Sequence, residues 1–143
     1  MSREYPEYPL LAVAVVVWRG DQVLLIQRGK QPNYGQWNIP GGGVELGEKL
    51  VEAARRELRE ECGVEISPPS IFTTVDILDY DDAGRLRYHY IILELQARWE
   101  SGEPVAGDDA MAVGWFRLAE LDSLPMWEQT RAVLRLSAAQ MVG

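Results

Sequence analysis

The chain has 143 residues, a length typical of one domain that can bury a hydrophobic core. Hydrophobic residues make up 47% and charged residues 25% of the sequence, which predicts a soluble globular protein. The net charge of −8 argues against binding to nucleic acid or to an anionic membrane, because both require an excess of basic side chains. A polyphosphate ligand would need metal ions to screen its approach to such a chain.

Cysteine use and hydropathy predict the compartment. Cys62 is the only cysteine, so no internal disulfide can form, which fits a reducing, cytoplasmic environment. The most apolar run, 10–18, is shorter than the roughly 20 residues of a membrane span. Glu4 and Glu7 precede it, where a secretory signal would carry basic residues. We therefore predict a buried strand in this run and no membrane association.

The first predicted elements form a hairpin, with strands at 10–18 and 22–28. Residues 29–40 contain Gly, Pro and Asn and are predicted to form a loop. Trp37 either anchors this loop to the core or lines a substrate cleft. Arg28 is either a surface charge or a contact to phosphate or base, since a guanidinium binds phosphate through two hydrogen bonds.

A glycine segment and a helix follow. Residues 40–43 are predicted to form a turn whose missing side chains let a phosphate or a metal approach the backbone. The next residues, 49–62, are predicted to be helical, with Gly63 as the C-cap. An apolar stripe with helical spacing should face the core: Val51, Ala54, Leu58 and Cys62. A cysteine on this stripe is expected to be a buried, unreactive thiol.

The same helix carries three crowded acids. Glu57, Glu60 and Glu61 stand at i, i+3 and i+4, so at about 100° per residue they share roughly one third of the circumference. Like charges so placed repel each other, whereas a divalent cation turns them into a ligand set. Oxygen ligands suit Mg²⁺ or Mn²⁺. The acids alone leave open the alternative of a solvated acidic helix after a glycine-rich loop.

The second half is predicted to contain strands at 71–78, 86–99 and 110–116 and a closing helix at 125–141. His89, in the second of these strands, is either a strand histidine without function or a substrate contact. The order of strands, helix, strands and helix predicts a mixed α/β fold in one domain, 1–143.

The stretch 42–64 resembles the signature of the Nudix hydrolases. That signature reads Gly, five residues, Glu, seven residues, Arg-Glu, an aliphatic residue, any residue, Glu-Glu, any residue, Gly and an aliphatic residue. Every defined position is filled here: Gly42, Glu48, Arg56, Glu57, Leu58, Glu60, Glu61, Gly63 and Val64. A match at all of these positions is specific in a way that a lone glycine motif is not.

The resemblance implies the Nudix fold, a mixed β-sheet sandwiched between α-helices, and Mg²⁺-dependent hydrolysis of a diphosphate linked to another group. It implies a ligand set made of Glu57, Glu60, Glu61 and the carbonyl of Gly41. One of these glutamates or a loop acid would be the general base, and the sequence leaves this open. Glu48 and Arg56 match the family's structural pair, which orients the ligands from outside the metal site.

The resemblance also bears on a further carboxylate, the substrate and the oligomeric state, which the signature itself does not define. Asp109 or Glu103 is placed to supply a further loop carboxylate, or else belongs to a solvated loop. The substrate would be a small nucleotide such as ADP-ribose or a nucleoside triphosphate, and a homodimer fits the family's habit. Some relatives have lost catalysis, so a nucleotide-sensing or binding module is the alternative function. Those relatives usually have a damaged signature or an attached DNA-binding domain, so the intact signature favours the enzyme.

Overall fold

The computed structural model describes residues 3–142, which contain an eight-stranded sheet and two α-helices. The strands are β1 (Leu10–Arg19), β2 (Gln22–Arg28), β3 (Trp37–Asn38), β4 (Gly41–Gly43), β5 (Glu65–Ile66), β6 (Ser70–Tyr80), β7 (Leu86–Ser101) and β8 (Ala110–Arg117). The helices are α1 (Leu50–Cys62) and α2 (Glu128–Met141), and a 3₁₀ helix spans Leu118–Ser123. Over the described residues, neither α-helix is long and apolar enough to cross a membrane.

The sheet is built around β1. Strand β1 runs parallel to β7 from Leu10 to Trp18, whereas its pairings with β2 and β4 are antiparallel. The remaining strands add antiparallel pairs, β6 and β5 on β7, and β3 and β8 on β2. The sheet is therefore mixed, which confirms the predicted fold class.

Alternation along β1 divides the core between the two faces of the sheet. Val13, Val15 and Val17 pack with α1, while Val16 and Trp18 pack with α2. Since successive side chains of a strand point to opposite faces, one apolar strand serves both layers. The α-helices therefore lie on opposite faces, as the sandwich prediction requires.

Helix α1 ends as predicted, because Gly63 has φ 72° and its N–H donates to the carbonyls of Leu58 and Arg59. The predicted apolar stripe is partly wrong. Val51 is 40% exposed, whereas Ala53 is fully buried. The buried face is rotated toward the acids at the C-terminal end of the helix, so Val51, in the first turn, lies beyond its edge.

The glycine segment differs most from the prediction. Gly41–Gly43 form strand β4 rather than a turn, and they pair with 12–14 of β1. A Cβ at Gly41 would lie 2.0 Å from the carbonyl oxygen of Val13, so only glycine allows so close an approach. The short strands β3 and β5 were not predicted either, since two residues show no period.

Candidate active site

Two cavities meet at strand β4. The smaller is the acidic cavity, about 480 Å³, which is lined by the three glutamates of α1 and by the 107–110 loop. The larger, about 1090 Å³, extends over the α2 face of the sheet. Both are lined by β4 together with Arg28 and Asn38. A ligand that crosses β4 can therefore place one end in each cavity.

Glu57 and Glu61 converge in the smaller cavity. Their carboxyl groups are neighbours, and Oε2 of Glu61 is buried without a partner among the described residues. Burial raises the pKa of Glu61 well above its ordinary value, and the neighbouring Glu57 raises it further. Two carboxyls so close cannot both be ionised cheaply unless they share a proton or a cation.

Gly42 allows the Glu57 carboxyl to approach the backbone. A Cβ at this position would lie 2.5 Å from Cδ of Glu57 and 2.6 Å from both of its carboxylate oxygens. The carboxylate therefore occupies the space that any other residue at 42 would need. This contact explains in physical terms why a glycine stands at the start of the motif.

Arg56 binds Glu48 through two hydrogen bonds, from Nε at 2.7 Å and from Nη2 at 2.9 Å. Its Nη2 also donates to the carbonyl of Gly43 at 2.9 Å, and its Nη1 donates to Glu57 at 2.8 Å. One guanidinium thus joins the segment after β4 to the helix and holds a carboxylate of the smaller cavity. The resemblance implied such a pair, and the structure brings its two members together.

Glu60 behaves differently from the other two acids. Its side chain is 61% exposed and lies 3.3 Å from Nη1 of Arg56. Within residues 3–142, no three His, Cys, Asp or Glu side chains are grouped closely enough to hold a metal ion. The structure therefore brings together Glu57 and Glu61 and leaves Glu60 at the rim.

The backbone of Gly41 completes the acidic cavity. Val15 donates to the carbonyl of Pro40 and Val44 donates to that of Leu11, at 2.9 and 3.1 Å. Because hydrogen-bonded and non-hydrogen-bonded pairs alternate between antiparallel strands, the N–H and C=O of Gly41 point away from β1. Its N–H lowers the pKa of the Glu61 carboxyl, against the larger effects of burial and of Glu57.

This donor set fits a hard divalent cation. It offers two partly buried carboxylates, one with a buried oxygen that has no partner, and the outward carbonyl of Gly41. Mg²⁺ and Mn²⁺ prefer oxygen ligands of this kind, and Mg²⁺ keeps several waters rather than a full protein cage. Glu60, at the rim of this cavity, offers a third carboxylate, which agrees with that preference.

The 102–109 loop is fixed to the end of α1. Gly107 donates to the carbonyl of Glu61 and Val105 donates to that of Cys62, each at 3.0 Å. This anchoring places Asp109 on the wall of the smaller cavity, where it forms an ion pair with Lys30 at 2.7 Å. Lys30 lowers the pKa of Asp109.

The other loop candidate, Glu103, lies elsewhere. It pairs with Arg19 at 3.5 Å and does not line either cavity described here. The Arg19 guanidinium stacks on Trp115, with its carbon 4.3 Å from the ring centroid. Of the two acids that the sequence left open, only Asp109 reaches the acidic cavity.

Two residues predicted as possible substrate contacts, Arg28 and Trp37, line the cavities. Arg28 lines both, and its Nε donates to the carbonyl of Pro32 at 2.8 Å. Trp37 combines both predicted roles, because it packs edge-on against Phe116 at 4.8 Å and also lines the larger cavity. His89 lines neither cavity. Cys62 is buried, and burial raises its thiol pKa to about 12, as expected for an unreactive cysteine.

Asn38 and Glu94 are polar residues of the cavities that were not predicted from the sequence. Asn38 lines both, and the only signal for it was its position close to the glycine segment. Glu94 lies in the wall of the larger cavity. Its signal was visible, since it is one acid in the apolar run of β7, where a buried charge is costly.

Comparison with known families decides the identity of the chain. The family model of the NUDIX domain matches residues 9–136. The chain belongs to the Nudix family. The predicted fold and the resemblance of the signature are thereby confirmed, and this Nudix protein is a pyrophosphohydrolase that acts on phosphorus-containing acid anhydrides.

Individual relatives agree with this family. An ADP-ribose pyrophosphatase of Methanocaldococcus jannaschii is 34% identical over 117 residues, which cover 82% of this Nudix chain and 67% of the relative. The nucleoside triphosphatase NudI of Escherichia coli K12 is 33% identical over 107 residues, or 71% and 76% of the two chains. A crystal structure of a MutT NUDIX hydrolase from Burkholderia pseudomallei superposes with a TM-score of 0.79 at 32% identity, covering 90% and 98%.

We predict that the Glu48–Arg56 contact governs the acid stability of the Nudix fold. Arg56, and then the N–H of Glu45, lower the pKa of Glu48 from 4.5 to about 2. Because the folded-state pKa is the lower one, the carboxylate stabilises the fold above pH 4.5, and this contribution is lost as the pH falls toward 2. Urea denaturation at a series of pH values should show a flatter dependence in this window for Glu48→Gln.

The matched control for this prediction is Glu52→Gln, on an exposed position of α1. It should keep the wild-type pH dependence of the free energy of unfolding. Identical slopes between pH 2 and 4.5 for wild type and Glu48→Gln would contradict the role given to Glu48.

Proposed function

We propose that this enzyme hydrolyses the pyrophosphate bond of a nucleoside diphosphate linked to another group, in a reaction that depends on Mg²⁺ or Mn²⁺. The observation that carries the proposal is the junction of the two cavities at β4. The smaller cavity offers carboxylates for a cation, and the larger one has room for an organic group of nucleoside size. A nucleotide has the matching division into a phosphate end and a base end.

In this proposal Glu57, Glu60, Glu61 and the carbonyl of Gly41 hold the cation. The bound ion would neutralise charge on the phosphate oxygens and lower the pKa of a coordinated water. Arg56 and Glu48 act through the ligands, because their hydrogen bonds fix Glu57 and the segment after β4. They are positioning residues rather than ligands.

The attack of water on one phosphorus breaks a P–O bond of the anhydride and releases two fragments, one of which carries the oxygen of the water. The base that accepts the proton of this water is one of the cavity acids, either a glutamate of α1 or Asp109. Arg28 stands between the two cavities and is suited to contact a phosphate oxygen. Trp37 contributes an aromatic wall to the nucleoside side.

The names of the relatives support two substrate classes. The archaeal relative is named for ADP-ribose and the Escherichia coli relative for nucleoside triphosphates. Both are nucleoside diphosphates extended at the terminal phosphate, so a site divided as described accepts either. Of these, ADP-ribose is the preferred hypothesis, because the relative named for it matches the larger share of this chain, 82% against 71%.

A substrate panel tests the proposed function. The purified chain is incubated with ADP-ribose, the four nucleoside triphosphates and diadenosine polyphosphates, with Mg²⁺, with Mn²⁺ or with EDTA. We expect release of a nucleoside monophosphate from at least one compound, and loss of that release in EDTA. Binding of a nucleotide without any product, under all metal conditions, would instead favour the sensing or binding module.

The proposal includes a cellular location, a class of partner and an oligomeric state. A cytoplasmic location follows from the reducing environment inferred from the single cysteine. A small-molecule nucleotide is the expected partner, with no nucleic acid and no membrane, because the net charge is −8. A homodimer remains an expectation from the family resemblance.

A further inference from the structure

The larger cavity contains a buried acid that the proposed chemistry does not use. Glu94 of β7 is 5% exposed and lines this cavity. Its Oε1 has no hydrogen-bond partner among the described residues, and no basic side chain of 3–142 forms an ion pair with it. A buried carboxyl left unpaired is costly, so a group that binds to it from outside the chain would remove that cost.

The surroundings of Glu94 leave space for such a group. Its neighbours in register are Ala14 of β1 and Thr73 of β6, and Ala14 lines the cavity with it. Further apolar side chains complete the wall, including Ile92 of β7 and Val75 of β6. Glu94 is therefore a polar group beside apolar side chains of the cavity wall, an arrangement that can fix the orientation of a bound ligand.

The strand register also gives the distance between Glu94 and the acidic cavity. Glu94 is opposite Ala14, and Ala14 is opposite Gly41 on the other side of β1. Two interstrand spacings separate Glu94 from Gly41, or about 10 Å. A nucleoside 5′-monophosphate covers this span from its phosphate to the edge of its base, whereas the ribose hydroxyls lie closer to the phosphate.

We propose that Glu94 is the base-recognition residue of this enzyme, and that its carboxyl group offers a hydrogen-bond donor and an acceptor together to the polar edge of a nucleobase. The inference rests on the proposed nucleotide substrate and adds the residue that binds the base. The neutral acid can donate through its O–H to a ring nitrogen or a carbonyl oxygen. Its other oxygen accepts from an amino or ring N–H of the same edge.

The state of the carboxyl agrees with this geometry. Burial raises the pKa of Glu94 to about 7, so the neutral form is well populated near neutral pH. Charged residues also line the larger cavity: Arg3, Glu4, Arg28, Asp79 and Arg87. The pKa of Glu94 is set by burial rather than by these groups.

Calorimetric titration of wild type, Glu94→Gln and Glu94→Met tests the proposal. The ligands are AMP, GMP, CMP, UMP and ribose 5-phosphate in buffer with Mg²⁺, and none contains an anhydride bond that could be hydrolysed. Wild type should bind at least one nucleoside monophosphate more tightly than ribose 5-phosphate. Glu94→Met should weaken that binding by about tenfold or more, while Glu94→Gln, which keeps an uncharged donor and acceptor, should retain it within roughly threefold.

The matched control is Glu100→Gln, an exposed acid on the same strand, which should bind as wild type does. Circular dichroism and thermal unfolding establish that each variant is folded. Unchanged affinity in Glu94→Met, or an equal loss for ribose 5-phosphate and for the preferred monophosphate, would overturn base recognition. Equal losses in the Gln and Met variants would overturn it as well. Because these ligands are not turned over, the result is separate from the panel that tests hydrolysis.

Discussion

Replacing Glu61 or Glu57 with Gln should lower the kcat of the Mg²⁺-dependent reaction on the order of 10³-fold, near the middle of the range for groups that act directly in proton transfer or charge stabilisation. The amide keeps the shape of the side chain but removes the negative charge that is proposed to bind the cation. Glu61 carries the buried oxygen without a partner, and the neighbouring Glu57 raises its pKa. Steady-state kinetics on the best compound of the substrate panel measure the effect.

Glu52→Gln is a suitable control for these variants. It removes a carboxylate from the same helix at an exposed position outside both cavities, so kcat should stay near the wild-type value. Calorimetry with Mn²⁺ gives a second readout, because Glu57→Gln and Glu61→Gln should also lose affinity for the ion. Near wild-type turnover in either variant would show that the cation is held elsewhere.

The helix and its acids were predictable because the information is local. A period of 3.6 residues and a C-terminal glycine define α1 within one turn, and the motif fixes the order of Arg56, Glu57, Glu60 and Glu61. Local spacing also predicted that these acids share a face. It did not predict that Glu61 turns inward while Glu60 turns to Arg56, since that depends on contacts with β4 and the 102–109 loop.

The strand at Gly41–Gly43 was not predictable from local pattern. Glycine has low strand propensity, so a run of three glycines predicts a turn. What makes it a strand is close contact with β1, where a Cβ at Gly41 would meet the backbone at 2.0 Å. The partner strand lies about 30 positions earlier, beyond the reach of any sequence window.

The larger cavity was the least predictable part of the site. It is assembled from β1, β4, β6, β7 and α2, which are far apart along the chain. Glu94 is visible in the sequence as an acid within an apolar strand. Its function can be inferred only once the register with Ala14 and Gly41 places it two strands from the acidic cavity.

Gly42→Ala should lower kcat/KM by about 10²-fold while the protein remains folded. The new methyl group would lie 2.5 Å from Cδ of Glu57, so this carboxylate must move. The end of a flexible side chain can rotate away without disturbing the core, but a displacement of about 1 Å at a reactive site can cost this much activity. Thermal unfolding and steady-state kinetics of the variant separate the two effects.

Gly41→Ala provides the comparison that makes this prediction specific. Its methyl group would meet the carbonyl oxygen of Val13 at 2.0 Å and Cα of Ala14 at 2.7 Å, which are backbone atoms that cannot rotate away. This variant should lose about 1–3 kcal/mol of unfolding free energy, the usual cost of overpacking. Gly42→Ala should therefore lose activity while keeping its stability, whereas Gly41→Ala should lose stability. Full activity in Gly42→Ala would contradict the inference that the Glu57 carboxylate must occupy its position next to Gly42.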